Sequence, residues 1–105
     1  YAVYRLAPEL QPGLGLVLDW LVLPGDDEAS ARLLTALLSR AGADEAHVLA
    51  ASFPEWSPWS LSFQEQGFQH RPSERLHVVR SAVPRFDMLW LRDNWWTTLA
   101  DALLL

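Results

Sequence analysis

The 105 residues include no cysteine, no lysine and no isoleucine. Without cysteine, disulfides, thiolate metal sites and cysteine nucleophiles are all excluded. Without lysine, Schiff-base chemistry and a phosphate loop of the lysine-bearing type go too. All eight basic residues are therefore arginine, and 13 acids outweigh them to a formal charge of −5. That balance predicts no nucleic-acid partner. Asp19 interrupts the longest apolar run before it reaches the roughly 18 residues of a membrane span, so no membrane partner is expected either. No internal repeat and no low-complexity stretch is present. Absence of cysteine is compatible with a reducing cytoplasm, the expected location.

What the chain does have is apolar bulk. Half of its residues are hydrophobic and 11% are aromatic, including six tryptophans. That suffices for one packed core, and the length suits a single domain spanning 1–105. Tyr1 falls inside an apolar alternation, which reads as a piece of a longer protein entered in mid-strand.

Tyr1 to Leu6 predicts a strand stopped by Pro8, and residues 7–15, with two prolines and two glycines, predict a loop or hairpin connection. Leu16 to Leu23 is a nearly continuous apolar run of strand length, as for a strand buried on both faces. Pro24-Gly25 ends it. A helix follows, capped by Asp26 or Asp27, with Glu28 adding charge at the positive end of its dipole. Ala29, Leu33, Leu37 and Ala41 recur every four residues, flanked by Leu34 and Leu38, and predict one apolar face. Gly42 is placed to be a left-handed terminal cap. Burying its leucines is worth about 1.5–3 kcal/mol each before ordering entropy is subtracted.

Ala46 to Ala51 reads as a short apolar strand, so the unit from about Gly15 to Ala51 is strand–helix–strand with a parallel crossover. Ser57-Pro58 starts a second helix, ending at Gly67 with Phe68 packing back on Phe63. Glu74 to Ser81 reads as another strand. Trp90 to Leu99 fits either strand, turn and strand or a short helix. The fold class expected is α/β or α+β: a mixed sheet of about five strands, a central parallel βαβ unit and two helices.

This order resembles the C-terminal half of the GNAT superfamily of acyl-CoA-dependent N-acetyltransferases. The residues that carry the likeness are VLP (22–24), LLTALLSRAGADEAHVLA (33–50) and FQEQGF (63–68), with WWTTLAD (95–101) similar to some bacterial members. The family's opening strand and first two helices have no counterpart here. The resemblance implies two splayed parallel strands gripping a pantetheine arm, with Leu21, Val22, Leu23 and Ser30 as cofactor-binding residues for acetyl-CoA or another acyl-CoA. It also puts Asp19 beside the acceptor-amine cleft, as a candidate general base or amine anchor for a small amine. The expected partner is a preceding GNAT-like lobe or a second copy of the chain.

Two departures weigh against chemistry in this lobe. A loop that binds pyrophosphate needs glycines and a basic residue at a helix N-terminus. Here it reads Gly25-Asp26-Asp27-Glu28-Ala29-Ser30, with three carboxylates where two phosphates would lie. Phe63 stands where members of the family often carry a tyrosine general acid, and it has no ionisable proton. Trp56 stands where an asparagine is often found. The reading is a C-terminal lobe of a GNAT-like N-acyltransferase, itself weak or empty of CoA and not catalytic alone. The alternative is a non-catalytic dimerisation or interaction module with a Trp-rich interface over 90–105.

For single residues, bland and functional readings stand side by side. A buried Asp19 is better explained as a structural carboxylate bonded to an arginine or a loop backbone, since buried acids are usually paired. His47, His70 and His77 are too scattered for a metal site. The tryptophans suit packing as well as ligand stacking, and Arg71, Arg75, Arg80, Arg85 and Arg92 suit a solvated surface as well as an anionic partner.

Overall fold

The computed structural model describes residues 1–54, 56–72, 88–94 and 96–99. They fall into two compact units, Tyr1–Ser52 with the residues from Thr97 onward, and Phe53–Trp96.

The first unit is built on a three-stranded mixed sheet. Strands β1 (Ala2–Leu6) and β2 (Leu14–Trp20) form a hairpin, so of the loop or hairpin read from the Pro/Gly-rich connection the hairpin is present, with Leu6 opposite Gly15 and Ala2 opposite Trp20. The turn closes on Ala7, whose N–H donates to the Leu14 carbonyl at 2.8 Å while its own carbonyl accepts from Leu10 and Gln11. Helix α1 (Asp27–Ala43) then carries the chain to β3 (Val48–Ala51), which pairs with β2 in parallel from Leu14↔Val48 to Val17↔Ala51. The sheet order is β1-β2-β3. The parallel strand–helix–strand unit is thus present and the class is α+β. Three strands are found among the described residues against about five expected; the expected strand at 74–81 lies outside them.

Helix α1 begins where its acids place it: the Asp26 carboxylate accepts from the Ala29 N–H at 3.0 Å. Its buried stripe is Ser30, Leu34, Leu37 and Ala41, one position round from the expected Ala29–Leu33–Leu37–Ala41 line. Leu38 is exposed and Leu33 half-buried. The cap expected at Gly42 is displaced. Gly42 is helical, and the left-handed residue is Glu45, at φ 57°. Ala46 N–H donates to Ala41 C=O at 2.9 Å and Glu45 N–H to Gly42 C=O at 3.1 Å, the paired bonds of a Schellman ending with glutamate in glycine's usual place. An Arg40–Asp44 ion pair at 2.9 Å braces the same turn.

One face of the sheet lies under α1. Register puts Tyr4, Gly15, Val17, Trp20 and Leu49 on one side, and Trp20 is fully buried there with Val17. The other side carries Leu16, buried at 6% exposure, together with Tyr1, Val3, Leu21 and Val48, which are exposed. Packing two leucines and a tryptophan between helix and sheet is worth several kcal/mol, at about 1.5–3 kcal/mol for each buried side chain.

The second unit holds helices α2 (Pro58–Glu65) and α3 (Met88–Asn94). Ser57 caps α2, its hydroxyl accepting from Trp59 N–H at 3.2 Å, and Pro58 opens the first turn. The end is as read from the sequence: Gly67 at φ 93°, Phe68 N–H bonded to Phe63 C=O, and the two rings 4.8 Å apart. Phe53 meets Phe63 edge-on at 4.8 Å, and Trp96 touches Phe53 and Trp56. Of the two readings for 90–99, the helical one is present over Met88–Asn94. Trp95 and the tail 102–105 lie outside the described residues.

Candidate functional site

The candidate site is the far end of β2 and the loop that follows it, because β2 outlasts β3. Pairing with β3 ends at Val17↔Ala51, while pairing with β1 continues to Ala2↔Trp20. Between those points the ladder slips: Tyr4 is opposite Val17 but Val3 is opposite Asp19, so Leu18 is an extra residue. Such bulges re-aim side chains and terminate pairing, and they recur beside active sites.

Asp19 follows the bulge and is half-buried. Its Oδ2 accepts the Tyr1 hydroxyl at 2.8 Å and its Oδ1 accepts the Trp20 N–H at 2.8 Å. The structural reading predicted an arginine or a loop backbone as partner. The partners are instead a tyrosine across the hairpin and the next residue's amide. The hydrogen bond to Asp19, and then its charge, hold the Tyr1 phenol above its ordinary value.

The expected cofactor residues are spread differently around this end. Leu21 gives both main-chain groups to Tyr1, with its N–H donating to the Tyr1 carbonyl at 2.8 Å and its carbonyl accepting from the Tyr1 nitrogen at 2.7 Å. Val22 is buried at 8% exposure, while its neighbours Leu21 and Leu23 stand at 55% and 74%. The main-chain groups of Val22 have no hydrogen-bond partner among the described residues. The Leu23 carbonyl accepts from Asp26 N–H at 3.0 Å. Ser30 is buried on the sheet-facing stripe of α1, and its N–H goes to the Asp26 carbonyl at 3.1 Å.

The helix N-terminus where a phosphate would sit is therefore already engaged. Asp26 uses its carboxylate on Ala29 N–H and its carbonyl on Ser30 N–H. Asp27 and Glu28 add negative charge in the first turn. Arg32, the basic side chain one turn further on, is paired with Glu28 at 2.6 Å. The dipole that draws anions is neutralised from within the chain. Gly25 at φ 83° leaves open space beside the turn, with no described atom within 4 Å of where its Cβ would stand.

Other sequence candidates lie elsewhere. His47 packs on Gly13, where a Cβ would come within 2.7 Å of its ring, and its N–H donates to the Gly13 carbonyl. His70 is exposed, and His77, Arg75, Arg80 and Arg85 fall outside the described residues. No cluster of metal-ligating side chains occurs among the described residues, and no helix there is long and apolar enough to cross a membrane. Phe63 is buried against Phe53 and Phe68. A shallow groove along α1, lined by Ala31, Arg32, Thr35, Ala36 and Ser39, offers as its only charge the Arg32 already paired with Glu28.

The residue missed from sequence was Tyr1, since only the hairpin register brings it to Asp19. Comparison with protein-family models, curated proteins and solved structures finds no match to this chain.

Proposed function

We propose that this chain is the second-half lobe of a GNAT-like N-acyltransferase fold whose own phosphate loop is closed to acyl-CoA. The observation that carries the reading is a parallel β2–α1–β3 unit with Asp26 already bonded across the α1 N-terminus. The segment just past the end of β2, at Val22, is where a pantetheine-like arm would pair, and Asp19, next to the bulge, lies near the same end of the strand. Acyl transfer to a small amine then belongs to the parent protein, with acyl-CoA held by a preceding lobe or a second copy and Asp19 contributing to the acceptor wall. A five-stranded sheet and a cytoplasmic setting belong to the same proposal.

Calorimetric titration of the chain with acetyl-CoA tests it. Binding no tighter than about millimolar is expected, because like charges in the loop oppose the pyrophosphate. Micromolar binding that disappears when residues 26–28 are changed would overturn it. A second reading, an interaction module without chemistry, is favoured by the exposed apolar row Tyr1, Val3, Leu21 and Val48 on the sheet face away from α1.

A further inference from the structure

The outer side of β1 is one of the two edges of the three-stranded sheet. Tyr1 and Leu21 exchange both of their main-chain bonds, and Ala7 N–H donates inward to Leu14. Odd-numbered residues of β1 therefore turn their main-chain groups to β2, and Ala2, Tyr4 and Leu6 turn theirs outward. None of these outward groups has a partner among the described residues. Edge strands are ordinarily blunted by proline, lysine, an inward charge or a bulge on the edge itself. β1 contains no proline or lysine, its extra residue sits on β2, and its one charge, Arg5, is paired with Glu9.

We infer that this edge pairs with the same edge of a second copy, antiparallel about a two-fold axis through Tyr4. The strand's own pattern selects that register. With Tyr4 opposite Tyr4 of the second copy, the outward groups of Ala2 meet those of Leu6, so every outward donor finds an acceptor. Arg5 then lies opposite Val3 of the second copy, and no like charges face each other across the seam. Centring on Val3 instead would pair only Ala2 with Tyr4 and leave the outward groups of Leu6 unmatched, and centring on Arg5 would leave those of Ala2 unmatched and set Arg5 opposite its own copy. The sheets merge into one of twice the width, and the apolar rows of Tyr1, Val3, Leu21 and Val48 join on a single face. The inference goes beyond the interaction-module reading by naming the surface, the partner and the register. It is independent of whether the fold binds acyl-CoA.

Sedimentation velocity on the whole chain, from micromolar to submillimolar concentration, tests it together with substitutions at exposed Val3. Concentration-dependent dimerisation is expected. Val3→Arg, which sets like charges opposite Arg5 at two symmetric places, should weaken the dimer about three- to tenfold. Val3→Glu should tighten it by a similar factor, and adding Arg5→Glu to Val3→Arg should restore it. Ala2→Pro, which removes an outward N–H, should weaken it with no loss of bonds to β2. Circular dichroism and melting of each variant separate loss of pairing from loss of folding. A chain monomeric throughout the range would overturn the proposal and the interaction-module reading with it. A dimer indifferent to the sign of the charge at position 3 would overturn the edge pairing alone.

Discussion

The ring of Tyr4 lies across Gly15: a Cβ on residue 15 would come within 2.8 Å of Tyr4 Cε2 and 3.1 Å of a Leu49 methyl. Glycine is needed here for closeness, not for an unusual backbone angle. The missing side chain lets a tyrosine on β1 reach over β2 toward the end of α1, where Asp44 and Arg40 are its charged neighbours.

Gly15→Ala should therefore cost about 1–3 kcal/mol, the usual range for overfilling a packed site. For a domain of this size each kcal/mol lowers Tm by about 4–8 °C. A melting point within a degree of the parent's would mean that the ring does not lie over this residue.

Glu45 invites the opposite experiment. A glutamate at φ 57° carries a steric cost that glycine does not. Glu45→Gly should raise stability by about 0.5–1 kcal/mol in urea unfolding, because the Schellman bonds need only the backbone. Gly42→Ala, inside the helix with open space around its Cα, should also stabilise, by about 1 kcal/mol. If Gly42 were the left-handed cap, that second change would destabilise instead.

At the other end of α1, Asp26→Ala should cost about 1 kcal/mol by removing the cap, while Asp26→Asn should keep most of it. The pair separates the hydrogen bond to Ala29 from the charge. Thermal unfolding of the two variants at low and high salt reads both, since only the charge effect is screened.

The only two tyrosines of the chain are Tyr1 and Tyr4, so its phenolate absorbance belongs wholly to this hairpin. Both ionise above the ordinary value of 10.0 in the folded protein. For Tyr1 the cause is its bond to Asp19 and then that charge; for Tyr4 it is burial, then the charge of Asp44, with Arg40 opposing. Spectrophotometric titration should show the onset delayed, and Asp19→Asn should advance the Tyr1 share alone. The unfolded phenols lose protons first, so this contribution to stability is complete below pH about 10. It vanishes as pH rises through the folded-state values.

Legibility from sequence followed the range of the interactions. That the βαβ unit has two strands and a helix, an acidic cap at Asp26 or Asp27, and the Gly67–Phe68 ending was readable, because each rests on neighbours a few residues apart. The strand bounds were not, since the first, expected over Leu16–Leu23, runs Leu14–Trp20, and the second, expected over Ala46–Ala51, runs Val48–Ala51. The end of α1 was not. Gly42 is the obvious breaker, yet the Arg40–Asp44 pair and the Ala46 amide carry the helix past it to Ala43. The buried stripe shifted for a similar reason: Ser30 counts as polar in any pattern, but its hydroxyl is small enough to go inside. Asp19 stands out in the sequence, but the tyrosine bonded to it, Tyr1, sits 18 residues away. Only a register with one slipped residue brings them together, and no local pattern announces that slip.

That slip at Leu18 also makes the length of β2 negotiable. Before it, Gly15 and Val17 share the helix-facing side; after it, Trp20 does. Had the ladder been regular, Trp20 would have turned away from α1. A chain shortened by one residue at position 18 would run straight from Val17 to Asp19 and still deliver Trp20 to the core. Position 18 is where this sheet can gain or lose a residue without reshuffling which side chains it buries.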